Sequence, residues 1–297
     1  MVAVSSNQKL MVDAILIKKE LSSVDRSFAI SEFKAFLMRD SIAKKYLNSK
    51  KINPRSKEFK RIVSAVRSKL RRAHSMFGVG NRSLDYLRFA DELSELASLT
   101  HLKNVSKKIL IAHASSSERV EDYQVFYKWI ISKIPKLQTV LDLGAGLHPF
   151  SLVYLTKSKL QGMSYTAVDI NNSEKELLEL LFSKLALFYD GFEGNSKILN
   201  LTNSKDIKLL GSLKSVDLAL MLKLTDHLDR GNGHKQTEKV LNAVAASFVL
   251  ISFPTVTRSG KPMRYPQRKW VELLCKRLEY TVEKFETSNE LFYLVQK

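Results

Sequence analysis

The stretch VLDLGAGLHPF, Val140 to Phe150, places an apolar run directly before two glycines that are one residue apart. A short apolar run of this kind is typical of a buried strand, and glycines at its end allow a tight turn into the following helix. In open α/β sheets, such a turn lies at the carboxyl edge of the sheet, where ligands bind. The stretch therefore predicts an α/β fold with a ligand beside Gly144 and Gly146.

The rest of the second half continues this strand and helix alternation. Helical segments separate most of the predicted strands, which is the pattern of a doubly wound parallel sheet. Thr287 and Ser288 alone separate the last two runs, LEYTVEKFE and NELFYLVQ, which is too short for a parallel crossover. These two runs should pair antiparallel at the sheet edge. The predicted strands lie at TVLDL, at SYTAVDI, near KILNL, at VDLALML, at FVLISF and at the two final runs.

The first hundred residues have a different pattern. Ile62, Val63, Val66 and Leu70 recur at three- and four-residue spacings, which indicates helices with one buried stripe. The composition changes near residues 100 to 112. We therefore predict an all-helical domain over residues 1–105 and a Rossmann-like α/β domain over residues 106–297.

The net charge of +18 is unevenly distributed. Residues 1–110 carry 23 Lys and Arg against 10 Asp and Glu, and residues 44–72 carry twelve basic residues against the single acid Glu58. A field of this sign concentrates polyanions, so nucleic acid is the favoured partner, with a generic basic surface or an anionic membrane surface as the alternatives. The candidate RNA-binding residues in this region are Lys50, Lys51, Arg67, Arg71 and Arg72.

Other features exclude whole classes of protein. No apolar run approaches the ~20 residues that a membrane span needs, and the first residues do not form a secretion signal. A single cysteine, Cys275, excludes an intramolecular disulfide and a multi-cysteine zinc site. These observations predict a soluble, cytoplasmic protein with no metal and no membrane partner, and we expect a monomer.

Three interpretations of the glycine turn compete. A dinucleotide-binding fingerprint requires a small residue three positions after Gly146, but Pro149 occupies that position. A dinucleotide is therefore less favoured. S-adenosylmethionine has no pyrophosphate and needs an acid at the end of the next strand for the ribose hydroxyls, which Asp169 supplies. S-adenosylmethionine is therefore favoured, while a dinucleotide and a purely structural turn stay open.

Several short motifs, taken together in their order, suggest a family. HASSSERV at His113, VLDLGAGLHPFSL, LKL at Leu222, SFPTVTRSGKPM at Ser252 and the terminal NELFYLVQK resemble the aminoglycoside-resistance 16S rRNA (guanine-N7)-methyltransferases. The resemblance covers most of residues 40–297. It implies a class I S-adenosylmethionine-dependent methyltransferase. It also implies that the basic N-terminal helical domain docks on 16S rRNA within the 30S ribosomal subunit.

The resemblance also implies roles for individual residues. Arg119 matches a family arginine near the cofactor carboxylate, and a surface charge beside a helix cap is the alternative. Leu201 falls where the family has an acid that accepts from the adenine amino group, and Asn200, Asn203 or Asp206 could substitute for that acid. The implied cofactor-binding residues are Arg119, Asp142, Gly144, Ala145, Gly146, Asp169, Ile170, Asn200 and Leu201. From the residues alone, Asp142 is expected to order the turn by hydrogen bonding, and His148 to be a turn or packing residue.

Basic residues after the fourth and fifth strands are the remaining RNA-contact candidates, since strand ends face the pocket in this architecture. A flexible charged loop is the alternative for the second group. These candidates are Lys223, Arg258, Lys261, Arg264 and Lys269.

The absence of an obvious catalytic dyad fits the implied reaction. Guanine N7 has an in-plane lone pair and no proton, so its methylation requires orientation and no general base. A methylated decoding site would repel and exclude a polycationic drug, which predicts aminoglycoside resistance. Methylation of another rRNA or tRNA base, and a noncatalytic RNA-binding or ribosome-assembly factor that retains the fold, remain open alternatives.

Overall fold

The computed structural model describes residues 5–18, 21, 24, 26–49, 52–75, 86–95, 97–229, 233–257 and 260–297, without the side chains at 27, 31, 71–75 and 114. Within these ranges, no helix is both long and apolar enough to cross a membrane.

The chain divides into two units, and the division lies before the predicted boundary. Residues 1–83 with 170–172 form the helical unit, and residues 84–169 with 173–297 form the α/β unit. The predicted boundary at 105/106 falls inside the helix Leu99–Ala112. Apolar side chains of this region, such as Phe89, Leu102 and Ile109, belong to the same core as Tyr123 and Phe126 of the α/β unit. Burial of this apolar face, which the basic composition does not reveal, places residues 86–95 and 97–105 with the core of the α/β unit.

The helical unit contains four described helices around one apolar core. The first helix begins with a capping box, in which Ser5 and Gln8 exchange side-chain and backbone hydrogen bonds. Ile62, Val63, Val66 and Leu70 are buried, as the helical spacing predicted. The four helices are α1 (Ser6–Leu16), α2 (Arg26–Arg39), α3 (Ser41–Leu47) and α4 (Lys57–Ser75).

The α/β unit is built on a seven-stranded sheet with the order β3-β2-β1-β4-β5-β7-β6. The first five strands are parallel, and β7 pairs antiparallel with both β5 and β6. The predicted fold class is thus confirmed, including the antiparallel hairpin at the end. The strands are β1 (Thr139–Leu143), β2 (Ser164–Asp169), β3 (Glu193–Ile198), β4 (Val216–Leu222), β5 (Ala246–Pro254), β6 (Thr281–Glu286) and β7 (Glu290–Gln296).

Strand β3 begins and ends earlier than its predicted position at KILNL. It is an edge strand with mostly exposed or half-buried side chains, so its sequence EGNSKI lacks the apolar pattern of a buried strand. Asn200 and Leu201 therefore follow β3 and do not belong to it.

Helices cover the two faces of the sheet, and each face has its own apolar core. The helices are α5 (Tyr86–Ser94), α6 (Leu99–Ala112), α7 (Ala114–Ser117), α8 (Tyr123–Lys133), α9 (Lys157–Leu160), α10 (Asn172–Phe188), α11 (Ser204–Gly211), α12 (Thr225–Asp229), α13 (Lys235–Ala243) and α14 (Lys269–Arg277). A 3₁₀ helix at His148–Tyr154 follows the glycine turn.

Candidate functional site

The glycine turn follows β1 and is held against β2. The backbone nitrogens of Gly144 and Ala145 donate to the Val168 carbonyl at 2.8 and 3.1 Å. Gly144 and Gly146 have φ angles of +66° and +49°, a left-handed conformation that glycine adopts without strain. A Cβ on Gly144 would stand 2.7 Å from Leu224 Cδ1, and one on Gly146 would stand 3.2 Å from His113 Cε1. A Cβ at either glycine would therefore crowd a neighbouring side chain, and the Gly144–Gly146 turn is called the glycine cradle below.

Asp169 lies beside this turn, as the sequence predicted. It is the last residue of β2, and its Oδ2 accepts a hydrogen bond from the Gly146 nitrogen at 2.9 Å. Its side chain is half-buried. The structure thus brings together the two predicted elements of a nucleoside site, the small-residue turn and the strand-end acid.

Asp142 holds the residues that follow the turn through hydrogen bonds of its side chain. Its carboxylate is buried, and Oδ2 accepts from the Tyr165 hydroxyl at 2.7 Å and lies 2.8 Å from His148 Nδ1. This geometry is the hydrogen-bonding role expected for Asp142, since it fixes the first residue of the 3₁₀ helix. His148 is itself buried, in agreement with a packing role.

His113 is a site residue that the sequence interpretation did not select. Its imidazole lies over Gly146, with Nδ1 2.9 Å from Ser116 Oγ. Its Nε2 is buried and has no hydrogen-bond partner in the part of the chain that the structure describes. Burial, and secondarily the charge of Arg119, lowers the pKa of His113 to about 4, so the ring is neutral at pH 7. The sequence signal that could have identified His113 is its position at the start of the HASSSER motif.

Arg119 is enclosed in the α/β unit and paired with Glu290. Its Nε and Nη2 donate to the two carboxylate oxygens of Glu290 at 2.6 and 2.8 Å, and the side chains are 4% and 0% exposed. Glu290 also accepts a short hydrogen bond from the Ser252 hydroxyl. Burial alone would raise the pKa of Glu290, but the charges of Arg119 and Lys223 outweigh it and hold that pKa below its usual value. Arg119 is therefore not a surface charge, and Nη1 is the one guanidinium nitrogen that Glu290 does not take.

Lys223 extends this pair into a four-residue network. Its ammonium forms a close ion pair with Glu118 and lies 3.4 Å from Glu290. Its backbone has a φ of +52°, unusual for a residue with a side chain, and its nitrogen donates to Ser252. An RNA-contact role for Lys223 remains a prediction, while its two carboxylate partners are a finding of the structure.

The residues after β3 are divided between packing and turn formation. Leu201 is buried in the apolar core, and its carbonyl accepts from Gln236 Nε2 at 2.6 Å. Asn203 caps α11, and Asp206 accepts from the Asn200 backbone nitrogen at 2.9 Å. The side chain of Asn200 is buried.

Two further predicted cofactor residues contribute their backbone or pack elsewhere. Ala145 is buried in the turn. Ile170 follows Asp169 in the chain, and its half-buried side chain packs against the apolar core of the helical unit.

The basic segment after β5 is ordered by its own contacts where the structure describes it. Thr257 and Lys261 are hydrogen-bonded to each other, and Met263 donates to Thr255. Arg268 folds back to donate to the carbonyls of Tyr265 and Pro266. Of the basic candidates in this segment, Lys261, Arg264 and Lys269 are exposed, while Arg258 lies outside the described residues.

The basic candidates of the helical unit separate into two groups. Arg67 donates from Nε to the Ile15 carbonyl at 3.2 Å and from Nη2 to the Ala14 carbonyl at 2.5 Å. It therefore caps the last turn of α1, which favours a structural role over phosphate contact. Lys50 and Lys51 lie outside the described residues, as do the side chains of Arg71 and Arg72 in α4.

The residues around the turn fit S-adenosylmethionine. The two glycines of the cradle are crowded by Leu224 and His113 where a Cβ would stand, the strand-end acid Asp169 accepts from the Gly146 nitrogen, and the buried His113 Nε2 has no partner among the described residues. Across the described residues, no group of three or more His, Cys, Asp or Glu side chains is placed to hold a metal ion.

Comparison with known proteins agrees with this site. The sequence model of the family described as ribosomal RNA methyltransferase (FmrO) matches residues 97–294. The chain is similar to the 16S rRNA (guanine(1405)-N(7))-methyltransferase of Frankia casuarinae, at 26% identity over 62% of this chain and 61% of that protein. It is also similar to the enzyme of the same name from Micromonospora rosea, at 22% identity over 80% of this chain and 84% of that protein.

A solved structure shares the whole fold. The crystal structure of the 16S rRNA methyltransferase RmtF in complex with S-adenosyl-L-homocysteine superposes with a TM-score of 0.71 at 21% identity, over 99% of this chain and 100% of that one. The family match spans two thirds of the sequence and contains the glycine turn, Asp169 and the Arg119–Glu290 pair. The chain therefore belongs to the ribosomal RNA methyltransferase (FmrO) family.

Proposed function

We propose that this protein transfers a methyl group from S-adenosylmethionine to N7 of a guanine in the decoding site of 16S rRNA. The observation that carries the proposal is the junction of the glycine cradle with Asp169, in a chain that belongs to an rRNA methyltransferase family. Two relatives named for guanine N7 methylation of 16S rRNA support the choice of atom and substrate.

The strand-end acid, the glycine turn and the buried arginine would hold the cofactor. Asp169 would accept from the ribose hydroxyls, and the turn from Gly144 to Gly146 would admit the methionine part. Arg119 would meet the methionine carboxylate through Nη1, because Glu290 takes its other two nitrogens. Asp142 would act on the cofactor only through the turn that it orders.

The main requirement of the reaction is that guanine N7 and the methyl group are held in line. When bound, S-adenosylmethionine supplies a methyl group on a sulfonium sulfur; the methyl carbon bonds to N7 as its bond to sulfur breaks, and the positive charge passes to the base. Guanine N7 carries no proton, so no side chain has to remove one. Holding N7 in line with the methyl group can lower the barrier by roughly 7–11 kcal/mol. The buried His113 and His148 accordingly have structural roles here, and neither is assigned as a base.

Basic residues of the chain would dock the protein on 16S rRNA. Residues 1–105 carry most of the excess positive charge and would bind the phosphates of folded 16S rRNA in the 30S subunit. Lys223, Arg258, Lys261, Arg264 and Lys269 would contact RNA near the target. We place the protein in the cytoplasm, where its substrate lies, acting as a monomer. The methylated guanine is cationic and bulkier, so it would repel and exclude aminoglycosides.

Methyl transfer from labelled S-adenosylmethionine to purified 30S subunits tests the proposal. We expect label on 16S rRNA, and strand cleavage specific for N7-methylguanine at a decoding-site guanine. The Asp169→Ala variant serves as the matched control and should transfer little label. Label at another rRNA or tRNA base would replace the substrate, and RNA binding without cofactor binding would favour a noncatalytic ribosome-assembly factor.

The docking assignment predicts a specific salt dependence. Replacing Lys50, Lys51, Arg71 and Arg72 with alanine should weaken 30S binding and flatten the slope of log K against log salt, by roughly 0.7–0.9 for each phosphate that the variant no longer neutralises. Filter binding over a series of salt concentrations measures this slope. The matched control replaces four exposed lysines of the α/β unit and should leave the slope unchanged; these are Lys157, Lys205, Lys208 and Lys214. Equal slopes for both variants would remove the basic run from the interface.

A further inference from the structure

Tyr265, between β5 and α14, is the most exposed large aromatic side chain of the residues that the structure describes. It is 73% exposed, whereas the aromatic rings of the two cores of the α/β unit are buried or half-buried. A single exposed apolar side chain is common on protein surfaces and does not by itself mark a binding site. What surrounds this ring therefore decides what it can do.

Arg268 fixes the backbone that carries the ring. Its Nη1 donates to the carbonyl oxygens of Tyr265 and Pro266, at 2.8 and 2.9 Å. The same guanidinium lies over the buried Phe253 ring, and the Arg268 backbone nitrogen donates to the Tyr293 hydroxyl at 2.8 Å. Pro266 also restricts the residue before it to extended conformations. The Tyr265 ring is thus held out into solvent by an anchored backbone, so its ordering in a complex costs little entropy.

Exposed cations lie beside the ring. The Arg264 guanidinium carbon is over the Tyr265 ring, 5.3 Å from its centroid. The side chains of Arg264, Lys261 and Lys269 in the same segment are exposed. An aromatic ring among exposed cations is the combination that binds single-stranded nucleic acid, since a base stacks on the ring while the cations meet the phosphates.

Trp270, the other aromatic residue between Thr255 and α14's first turn, is already engaged within the protein. Its ring stacks on His234, with centroids 3.8 Å apart and planes 4° apart, and meets the Phe253 ring edge-on at 5.8 Å. It is half-buried against the apolar core of its face of the sheet. In the described part of this segment, the ring surface that a base can cover is therefore that of Tyr265.

The sheet order relates Tyr265 to the site of methyl transfer. Strands β1, β4 and β5 are neighbours and parallel, so the segment that follows β5 leaves the same edge of the sheet as the glycine cradle. At about 4.8 Å between strands, β5 lies about 10 Å from β1. The reacting guanine must be enclosed beside the cofactor, whereas Tyr265 lies in solvent. A nucleotide next to the target is the one whose base this ring can cover.

We infer that Tyr265 stacks on the base of a nucleotide that flanks the target guanine in 16S rRNA. The inference rests on the proposed function and adds an aromatic contact to the basic contacts assigned there. Every base has a π face, so the stack contributes affinity and positions the RNA strand without selecting a particular base. Arg264 and its basic neighbours contribute the salt-dependent part of binding at the same place.

Filter binding of the full-length protein to 30S subunits tests this contact. Tyr265→Ala should weaken binding by about 5- to 150-fold, which corresponds to about 1–3 kcal/mol for one stacked base. Tyr265→Phe keeps the ring and should bind like the wild-type protein. Leu273→Ala is the matched control, because Leu273 in α14 is a 68% exposed apolar side chain outside this segment, and its loss should leave binding unchanged.

Three further measurements separate stacking from other roles of Tyr265. The slope of log K against log salt should be the same for Tyr265→Ala and the wild-type protein, because a neutral ring releases no counterions. Affinity for S-adenosylhomocysteine should be unchanged. In methyl transfer, the loss should raise KM for 30S subunits and leave kcat unchanged. Thermal unfolding verifies that each variant is folded.

Two results would overturn the inference alone. One is normal 30S binding by Tyr265→Ala. The other is a Tyr265→Phe variant that binds as weakly as Tyr265→Ala, since the hydroxyl and not the ring would then make the contact. A wild-type protein that binds neither 30S subunits nor free 16S rRNA would overturn the proposed function as well.

Discussion

Glu290→Ala is expected to lower the free energy of unfolding of the α/β unit by about 3–5 kcal/mol. The substitution leaves the Arg119 guanidinium buried without its bidentate carboxylate, and it removes the acceptor for the Ser252 hydroxyl. A charge uncompensated in the interior is among the most costly defects a single substitution creates. Urea unfolding followed by circular dichroism measures the effect.

The matched control is an exposed ion pair of the same unit. Arg277 Nη2 lies 2.7 Å from Glu238 Oε2, with the two side chains 62% and 31% exposed. Glu238→Ala should cost less than about 1 kcal/mol, because solvent screens this pair and hydrates the remaining charge. Similar costs for the two variants would contradict the view that the Arg119–Glu290 pair is isolated from solvent.

The pH dependence of stability provides a second test of the Arg119–Glu290 pair. The pKa of Glu290 is lowered in the folded protein, so its contribution to stability is fully present above its unfolded pKa, about 4.5, and is lost as the pH falls through the lowered folded value. The difference in stability between the wild-type protein and Glu290→Ala should therefore be constant near neutral pH and shrink in strong acid.

Gly146→Ala is expected to weaken S-adenosylhomocysteine binding by about 100-fold or more, close to 2.7 kcal/mol. The new Cβ would lie 3.2 Å from His113 Cε1, so the His113 ring or the turn that hydrogen-bonds to Asp169 would have to shift. The left-handed backbone at φ +49° adds strain of about 1–2 kcal/mol for any residue other than glycine. Titration calorimetry measures affinity, and thermal unfolding measures the strain.

Gly162→Ala separates these two effects. Gly162 has a φ of +70°, and a Cβ there would meet no atom within 4 Å. The two variants should lose comparable stability, while only Gly146→Ala should lose the cofactor. If Gly162→Ala weakened binding equally, the loss would come from general strain, and the cradle would have no specific role.

Much of this organisation follows from local patterns in the sequence. Strand β1, the glycine turn and Asp169 lie where the apolar runs predicted them, because a buried parallel strand must be apolar and the turn requires left-handed φ angles. The two-residue separation of β6 and β7 already demanded an antiparallel pair. Strand β3 was misplaced because an exposed edge strand does not need an apolar pattern.

Contacts between distant residues were decided only by the tertiary structure. Nothing in the sequence joins Arg119 to Glu290, which are 171 positions apart, or assigns Arg67 to the end of α1. Among the residues that the structure describes, the missing hydrogen-bond partner of the Asn200 amide nitrogen likewise appears only once the neighbouring acceptors have been placed. Periodicity records which side of an element is buried, whereas the partner of a buried charge or donor depends on sheet order and register, which bring residues from separate parts of the chain to the same edge.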